Sequence, residues 1–250
     1  AAAPWRPECP LAGWLGFAPV MGKAFKIGRS YALALSPDES RLASLGRFVF
    51  VWDVHQGKKV FRCRPLSHPS SASYSPDGQC IAVKNTAGRI VIVDADGGDT
   101  VADFENEAEG EGSNLAYSSC GEFLVDGSWA SHLRVRQSRT GEVVFEVPFS
   151  DEMITAIHHD ASRQHWVVKH KPKYRPAENV QPPAYFSRWE WPFRRHRSSI
   201  LPYRLDLLCS SALSENGAHL AVVRGKSSAT LEVYRVAGDE LLCAVPIIIG

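Results

Sequence analysis

The sequence lacks several features that would assign a class of protein at once. It has no apolar run of 18 or more residues, which excludes a helix that spans a membrane. The formal net charge is only +1 over 250 residues, so an electrostatic partner would have to recognise a local patch. With 44% hydrophobic and 22% charged residues, the chain is globular rather than disordered or collagen-like.

Cysteine motifs are also missing. The six cysteines lie far apart and form no Cys-x-x-Cys pair, so neither a zinc site nor a thioredoxin-like motif is present. Three or so fall in predicted strands, where a free thiol packs as a small apolar group. This usage predicts a reducing compartment and a cytoplasmic protein. Because residues 1–10 start without Met and lack the order of a signal peptide, export with a removed signal stays open.

What the sequence does contain is a repeat with a period near 40 residues. Each copy has a short apolar strand that ends in a polar turn, as in the Ser-Pro-Asp turns at Ser36 and Ser75. The five turns begin at Ser36, Ser75, Ser118, His158 and Ser214, which are 39, 43, 40 and 56 residues apart. The period excludes ankyrin and tetratricopeptide repeats, and the frequent Gly, Pro and Asp turns exclude helical solenoids.

A second landmark supports the repeat. Each turn is followed by a strand that ends near an aromatic, β-branched or long residue, namely Trp52, Val93, Arg136, Trp189 and Tyr234. Only the fourth interval is long, and its excess of about 13 residues places a Pro-rich insertion at 170–182. Each copy is therefore predicted to form four short strands, which in the first copy cover 31–35, 41–44, 48–54 and 59–64.

The first strand of each copy alternates large and small residues. The residue before each turn is large (Leu35, Tyr74, Tyr117, Ile157, Leu213), and the one before that is small (Ala34, Ser73, Ala116, Ala156, Ala212). Alternation places the two columns on opposite faces of the strand. A large residue then fills one layer between sheets while a small one lets the next sheet approach, as radially packed sheets require.

The Ser-Pro-Asp turns, the Phe50-Val51-Trp52-Asp53 strand end and the period resemble the WD-repeat β-propeller family over about residues 30–248. The resemblance implies an all-β propeller of four-stranded antiparallel blades with five recognisable repeats. In that family a His, Ser, Asp and Trp network ties the strands of a blade, and no copy here has the full set in sequence. Trp52-Asp53 is the one Trp-Asp dipeptide, and bacterial propellers with looser repeats remain an alternative.

The repeats divide the chain into two parts. Residues 30–250 are predicted to form the propeller, with the insertion at 170–182. Residues 1–29 are an N-terminal extension, and because Trp14 lies 22 residues before Ser36, they are expected to supply the outer strands of an incomplete blade.

The resemblance places enzymatic groups, if there were any, near the propeller axis, where side chains from several blades converge. The first strands carry Ala, Ser, Leu, Tyr, Ile and Asn114 there, and the His158-His159 pair supplies at most half a metal site, the alternative being a polar turn. No phosphate loop, Gly-x-Ser-x-Gly or His-Glu-x-x-His motif is present. We therefore predict no enzyme activity, no catalytic residue, no metal and no cofactor.

Loops carry the remaining signal, because binding residues concentrate on loops of a rigid scaffold. Two biased loops are predicted to share one face, and a third basic segment lies on the other. The predicted partner-binding residues are Lys169, Lys171, Lys173, Tyr174 and Arg175 in the insertion, Glu105, Glu107 and Glu109 in the loop at 103–111, and Arg194, Arg195 and Arg197. Solvated loops without a partner are the alternative.

The sequence thus predicts a noncatalytic scaffold that binds another protein and no membrane. Residues 169–204 have a net charge of +7 and several aromatics, which makes a nucleic-acid-binding module the alternative. Its basic residues are split between two faces, which favours protein binding over one continuous groove. A propeller hydrolase or lyase is the third hypothesis.

Overall fold

All regular structure in the described part of the chain is β-strand. The structure, a computed structural model, describes residues 30, 32–104, 114–130, 132–160, 165–173, 184–190, 194–196, 211–213, 218–224, 229–235 and 240–247. These residues form 20 strands. Among them no helix is long and apolar enough to cross a membrane.

The strands form five four-stranded antiparallel sheets, here called blades 1 to 5, each in chain order. Blade 1 contains β1 (Ala32–Leu35), β2 (Arg41–Leu45), β3 (Val49–Asp53) and β4 (Lys58–Cys63). Blade 2 contains β5 (Pro69–Tyr74), β6 (Cys80–Asn85), β7 (Ile90–Asp94) and β8 (Thr100–Phe104). Blade 3 contains β9 (Asn114–Tyr117), β10 (Phe123–Gly127), β11 (His132–Gln137) and β12 (Val143–Pro148).

Blade 4 contains β13 (Glu152–Asp160), β14 (His165–Pro172), β15 (Tyr185–Glu190) and β16 (Arg194–His196). Blade 5 contains β17 (Ser211–Leu213), β18 (His219–Arg224), β19 (Ala229–Arg235) and β20 (Glu240–Ile247). The predicted all-β class and the four-stranded repeat are confirmed, and the four strands of blade 1 agree with their predicted ranges to within two residues.

The Ser-Pro-Asp turns hold the first two strands of a blade together. Ser36 Oγ donates to Asp38 Oδ1 at 2.6 Å and accepts from the Arg41 backbone N–H at 2.9 Å. Hydrogen bonds from Ser36 and Ser40 lower the pKa of Asp38 to about 2. Blade 2 repeats the pattern, with Ser75 Oγ donating to Asp77 Oδ1 at 2.5 Å. The recurring sequence motif is therefore a recurring hydrogen-bond motif.

The second landmark also has a structural counterpart. In blades 1, 2, 3 and 5 the pairing of the third and fourth strands shifts just before Trp52, Val93, Arg136 and Tyr234. Such a bulge increases the local twist of the strand pair. The turn that follows packs on the preceding blade: a Cβ at Gly141, where φ is +73°, would lie 2.4 Å from the Phe104 ring. Glycine is needed there for both space and backbone conformation.

Successive blades stack through their first strands, since β1 contacts β5, β5 contacts β9 and β9 contacts β13. In blades 2 and 3 the large residue before the turn faces the preceding blade, in line with the predicted separation of large and small residues on opposite faces. Tyr74 packs with Ala43 and Leu45 of blade 1, and Tyr117 packs with Ala82 of blade 2. Both tyrosines are 6% exposed.

The interface between blades 2 and 3 contains a buried ion cluster. Lys84 Nζ donates to Asp126 Oδ1 and, at 2.8 Å, to the Gly127 carbonyl. Arg136 Nε donates to Asp126 Oδ2 at 3.2 Å. All three charged residues are buried, and Lys84 is fully inaccessible. Sequence reasoning did not find this cluster, although Lys84 interrupts an apolar run, Ile81-Ala82-Val83.

The fourth repeat is aligned two residues differently from the prediction. Trp189 pairs with Trp166, which pairs with His159, so His159 occupies the position of Tyr74 and Tyr117. His158 and His159 therefore lie within β13, and the expectation of a polar turn there is wrong. A shift of two residues preserves strand alternation, which is why the sequence pattern did not reveal it. The turn at Ser214 lies outside the described residues.

The cysteine prediction is consistent with the structure where it can be examined. Cys63, Cys80, Cys120 and Cys243 are free thiols, and the first, second and fourth lie in strands. Burial raises the pKa of Cys63 to about 11. Burial also raises the pKa of Cys80, so Cys63 and Cys80 are poor nucleophiles.

Candidate functional site

The blades present two faces. The upper face carries the connections after second and fourth strands, and the lower face carries those after first and third strands. Both predicted binding loops, at 103–111 and 170–182, belong to the upper face. Three upper-face connections meet at blades 3 and 4: one at 128–131, one at 149–151 and the start of the insertion at 173.

Backbone hydrogen bonds join these three connections. The Ile154 N–H donates to the Ser128 carbonyl at 3.1 Å, and the Lys173 N–H donates to the Asp151 carbonyl at 2.7 Å. Asp151 has a φ of 59°, a left-handed conformation that Asp tolerates better than most residues. The backbone of this part of the upper face is therefore fixed from both blades.

Trp129 lies at the tip of the first of these connections. Its side chain is 41% exposed, while the Ser128 N–H donates to the His132 carbonyl at 3.0 Å and closes the turn beneath it. An exposed tryptophan on a rigid turn is the residue type most enriched at binding hot spots. Sequence reasoning missed it, although a tryptophan within the small polar turn Gly127-Ser128-Trp129-Ala130 was the available signal.

The structure brings some of the predicted binding residues to this surface. Lys171 lies at the end of β14 and Lys173 is exposed just beyond it, beside Asp151. The predicted residues Tyr174, Arg175, Glu105, Glu107, Glu109 and Arg197 lie outside the described residues. Of the acidic loop the structure places Asp103, which is paired with Arg89; that guanidinium lowers the pKa of the Asp103 carboxyl.

Three of the predicted positions need correction. Lys169 is buried in β14 at 8% exposure, so it is not a loop residue. The strand continues to Pro172, and the insertion therefore begins at 173 rather than 170. Arg194 and Arg195 belong to the outer strand β16, where they pair with Glu190 and Trp189, rather than to a loop. The second strand of blade 4 is thus longer than predicted, and its fourth strand lies where a loop was predicted.

A series of polar side chains connects the end of β14 with the start of β15. Trp189 Nε1 donates to Ser187 Oγ at 2.7 Å, and Ser187 Oγ lies 2.5 Å from His170 Nε2. His170 Nδ1 lies 3.2 Å from Glu152 Oε2, which is within ion-pair distance but poorly aligned for a hydrogen bond. The Tyr185 hydroxyl donates to the same carboxylate at 2.6 Å.

These residues resemble the network described for the repeat family. No repeat was expected to contain its full His, Ser, Asp and Trp set, and blade 4 joins His, Ser and Trp with Glu152 in place of the Asp. The set was not visible because its members come from three strands, separated by the insertion. The rings of His170 and Tyr185 are stacked, with their centroids 4.5 Å apart. These polar side chains therefore join the two strand ends that flank the insertion.

The same series of side chains includes a Ser, His and carboxylate sequence, which invites comparison with a hydrolase triad. A triad serine needs a hydroxyl that a substrate can reach. Ser187 is 6% exposed, and its oxygen already accepts the Trp189 N–H. Ser187 therefore links neighbouring strands through hydrogen bonds and does not serve as a nucleophile.

The first strands offer packing rather than chemistry. Asn114 Nδ2 donates to the Ile154 carbonyl at 2.9 Å and links blades 3 and 4. Burial, with a smaller contribution from Lys169, lowers the pKa of His158 to about 4, so its imidazole is neutral at pH 7. Within the described residues no group of three or more His, Cys, Asp or Glu side chains could hold a metal ion.

A groove of about 1000 Å³ opens on the lower face between blades 2 and 3. Its walls mix apolar side chains such as Val101 and Phe123 with Asp77, Glu122 and Arg139. Charges of both signs line the groove, and its buried Ser75 and Ser138 hydroxyls already donate to Asp77 and the Gly121 carbonyl, which leaves it without an evident ligand chemistry.

Comparison with known proteins gives one curated relative and many similar structures. No family model matches the chain. The meiotic recombination protein rec14 of Schizosaccharomyces pombe is 30% identical over 116 residues, which are 44% of this chain and 38% of that protein. The chain thus spans under two fifths of the length of this relative.

Two solved structures are similar across most of the chain. One is the hydrazine synthase of Kuenenia stuttgartiensis, at 13% identity and a TM-score of 0.67, covering 91% of this chain and 69% of that one. The other is the β-propeller domain of Cps50 (Swd1) of Myceliophteria thermophila, at 14% identity and a TM-score of 0.60, covering 88% of each chain. At such identities the likeness concerns the fold. The chain is therefore a β-propeller, and the predicted resemblance to the WD-repeat propellers is confirmed.

Proposed function

We propose that this chain is a noncatalytic protein-interaction scaffold that binds its partner on the upper face at blades 3 and 4. The observation that carries the proposal is the exposed Trp129 on a turn whose Ser128 carbonyl accepts the Ile154 N–H of blade 4, on the same face as the exposed Lys173. A rigid aromatic anchor loses little conformational freedom on binding. The WD-repeat fold of the chain supports a scaffold role at the same coarse level.

The series of polar side chains in blade 4 supports the same surface. Tyr185, His170 and Glu152 hold the two strand ends from which the insertion leaves and returns. Lys171 at the end of β14 and Lys173 at the start of the insertion then favour an acidic protein surface. A partner with both an apolar pocket and acidic neighbours fits this chemistry.

The test compares recovered proteins rather than total binding. Trp129→Ala and the double variant Lys171→Glu/Lys173→Glu are immobilised, and the proteins they capture from nuclease-treated native lysate are identified. We expect both to lose a common set of proteins that the unmodified chain retains.

Matched controls remove a similar group elsewhere. Val144→Ala trims a side chain of similar exposure, 42%, on the outer strand of blade 3, and Lys58→Glu reverses an exposed charge on the lower face. Both controls should recover the full set. Identical recovery from all variants would reject this surface. Proteins that the unmodified chain captures from untreated lysate but not from nuclease-treated lysate would point to nucleic acid.

A further inference from the structure

Blade 1 has a face that no other described sheet covers. Ala32 and Ala34 of β1 pack towards blade 2, so Leu33 and Leu35 project from the opposite face. They are 54% and 49% exposed, whereas Tyr74 and Tyr117, which lie in the positions of Leu35, are nearly inaccessible. Leucines exposed to this extent at a position that is buried in two neighbouring blades indicate a missing layer.

The uncovered face extends across the whole sheet. Register places Leu35, Leu42 and Trp52 in one row and Leu33, Ser44 and Phe50 in the next. The Phe50 and Trp52 rings lie 6.2 Å apart, and Lys59 Nζ lies 4.3 Å above Phe50. This face is here called the open face. It is apolar near β1, and near β4 it consists of aromatic rings with the Lys59 ammonium group above them.

Topology identifies the segment that should cover it. The open face looks towards the position of a preceding blade. In each of blades 2 to 4 the preceding blade ends with the outer strand that leads directly into the first strand: β4 precedes β5, β8 precedes β9 and β12 precedes β13. The residues that lead into β1 are residues 1–29. Ser30 fixes the entry to β1, because its hydroxyl lies 3.0 Å from the Leu45 carbonyl and donates to it.

Length and spacing agree with this topology. From the third strand of one blade to the first strand of the next takes 20 to 24 residues in blades 1 to 3, so the 29 residues before Ser30 suffice for two strands and a turn. Trp14 lies 22 residues before Ser36, close to the 23 residues that separate Trp52 from Ser75. The segment also supplies apolar side chains at Trp14, Phe17 and Phe25.

We propose that residues 1–29 pack on the open face as the third and fourth strands of a further blade, with Trp14 in the position that Trp52 occupies in blade 1. The segment covers the part of the open face at Phe50 and Trp52 of β3, while Leu33 and Leu35 of β1 lie opposite the first-strand position of that further blade. This inference concerns an intramolecular surface and is independent of the proposed function.

The test is site-specific photocrosslinking in the full 250-residue chain. p-Benzoylphenylalanine replaces Phe50, a conservative aromatic exchange, and crosslinked peptides are identified by mass spectrometry after digestion. We expect loss of free peptides from residues 1–29 and their recovery joined to the peptide that contains position 50, within monomeric protein. The same replacement at Val144, on the outer strand of blade 3, should leave those peptides free.

A second position keeps the test decisive if the Phe50 variant does not fold. Arg62 is exposed on the same face, above Phe48, and its replacement by p-benzoylphenylalanine disturbs no buried group. Crosslinks from either position to residues 30–250 alone, crosslinks only in a dimer, or no crosslink to residues 1–29 would each overturn the proposal.

Discussion

Two neighbouring interfaces in this propeller have the same strand register but opposite chemistry: one is apolar and the other is ionic. Between blades 1 and 2 the equivalent positions hold Leu45, Val83 and Val93, all fully buried. Between blades 2 and 3 they hold Lys84, Asp126 and Arg136, also buried. The backbone pairing is the same at both interfaces, so the side chains alone turn an apolar contact into an ionic one.

Blade stacking in this protein therefore requires filled volume more than apolar side chains. The ionic interface is tolerated because each charged group has a partner: Lys84 also donates to the Gly127 carbonyl, and Arg136 Nη1 donates to the Gly141 carbonyl at 3.2 Å. Removing water from such groups costs several kcal/mol per ion, which good geometry offsets without a large surplus. The apolar interface has no charged groups whose loss of water must be offset by pairing.

The largest expected effect comes from breaking the ionic interface at its centre. Asp126→Ala leaves Lys84 and Arg136 buried without their shared carboxylate, which should destabilise the fold by about 3–5 kcal/mol. Urea denaturation followed by tryptophan fluorescence measures the loss. Val83→Ala at the equivalent apolar position should cost less, since it removes two methyl groups and leaves no uncompensated charge. Equal costs would contradict the distinction between the interfaces.

The apolar interface has its own test at the position equivalent to Lys84. Leu45→Ala should cost about 2–5 kcal/mol, the lost burial plus the cavity that remains. Leu45→Met, which nearly conserves volume, should cost less than about 1.5 kcal/mol. If both substitutions left the unfolding midpoint unchanged, Leu45 would not be part of the packed core.

A third variant asks whether the ionic interface can be converted to the apolar one. The triple substitution Lys84→Leu, Asp126→Val, Arg136→Leu should range from neutral to about 1–4 kcal/mol more stable, as for other buried ion clusters replaced by apolar groups. The expected result is therefore far from the sum of its single variants, because Asp126→Val alone strands the two cations that the triple variant removes. A triple variant as unstable as Asp126→Ala would mean that the charges are required.

Much of this fold could be predicted from sequence, because turns and strand alternation are local. The Ser36 and Ser75 motifs predicted turns at these positions, and both turns are present; Trp52 lies in the third strand as expected. Trp52 is only half-buried, however, because its ring lies on the open face of blade 1. Burial depends on which sheet lies opposite, and a single repeat does not contain that information.

The candidate site was harder to predict for the same reason. Lys169 belongs to a basic stretch of sequence that resembles a loop, but it is buried because β14 continues past it to Pro172. Lys84 and Asp126 lie 42 residues apart and meet only after two blades stack. Trp129 was visible in sequence, yet only the turn geometry shows that its ring is exposed.

The smallest expected effect extends the comparison to blade 4, where His158 replaces the small residue found at Ala34, Ser73 and Ala116. Burial lowers the pKa of His158 to about 4 from an ordinary value of 6.5. Between these values the unfolded chain takes up a proton that the folded chain does not, so this residue makes stability fall as pH decreases from 6.5 to 4. Above pH 6.5 both states are neutral, and the contribution is constant.

His158→Gln should therefore flatten the stability profile within that window, as measured by urea denaturation midpoints at several pH values. His55→Gln, at an exposed position, serves as the control and should leave the profile unchanged. If the stability of His158→Gln falls with pH as steeply as that of the unmodified chain, the imidazole of His158 becomes protonated in the folded chain as well. The blade 4 interface would then accommodate a cation there, as the interface of blades 2 and 3 does at Lys84. An outcome of that kind would make ionic stacking a recurring feature of this propeller rather than a property of one interface.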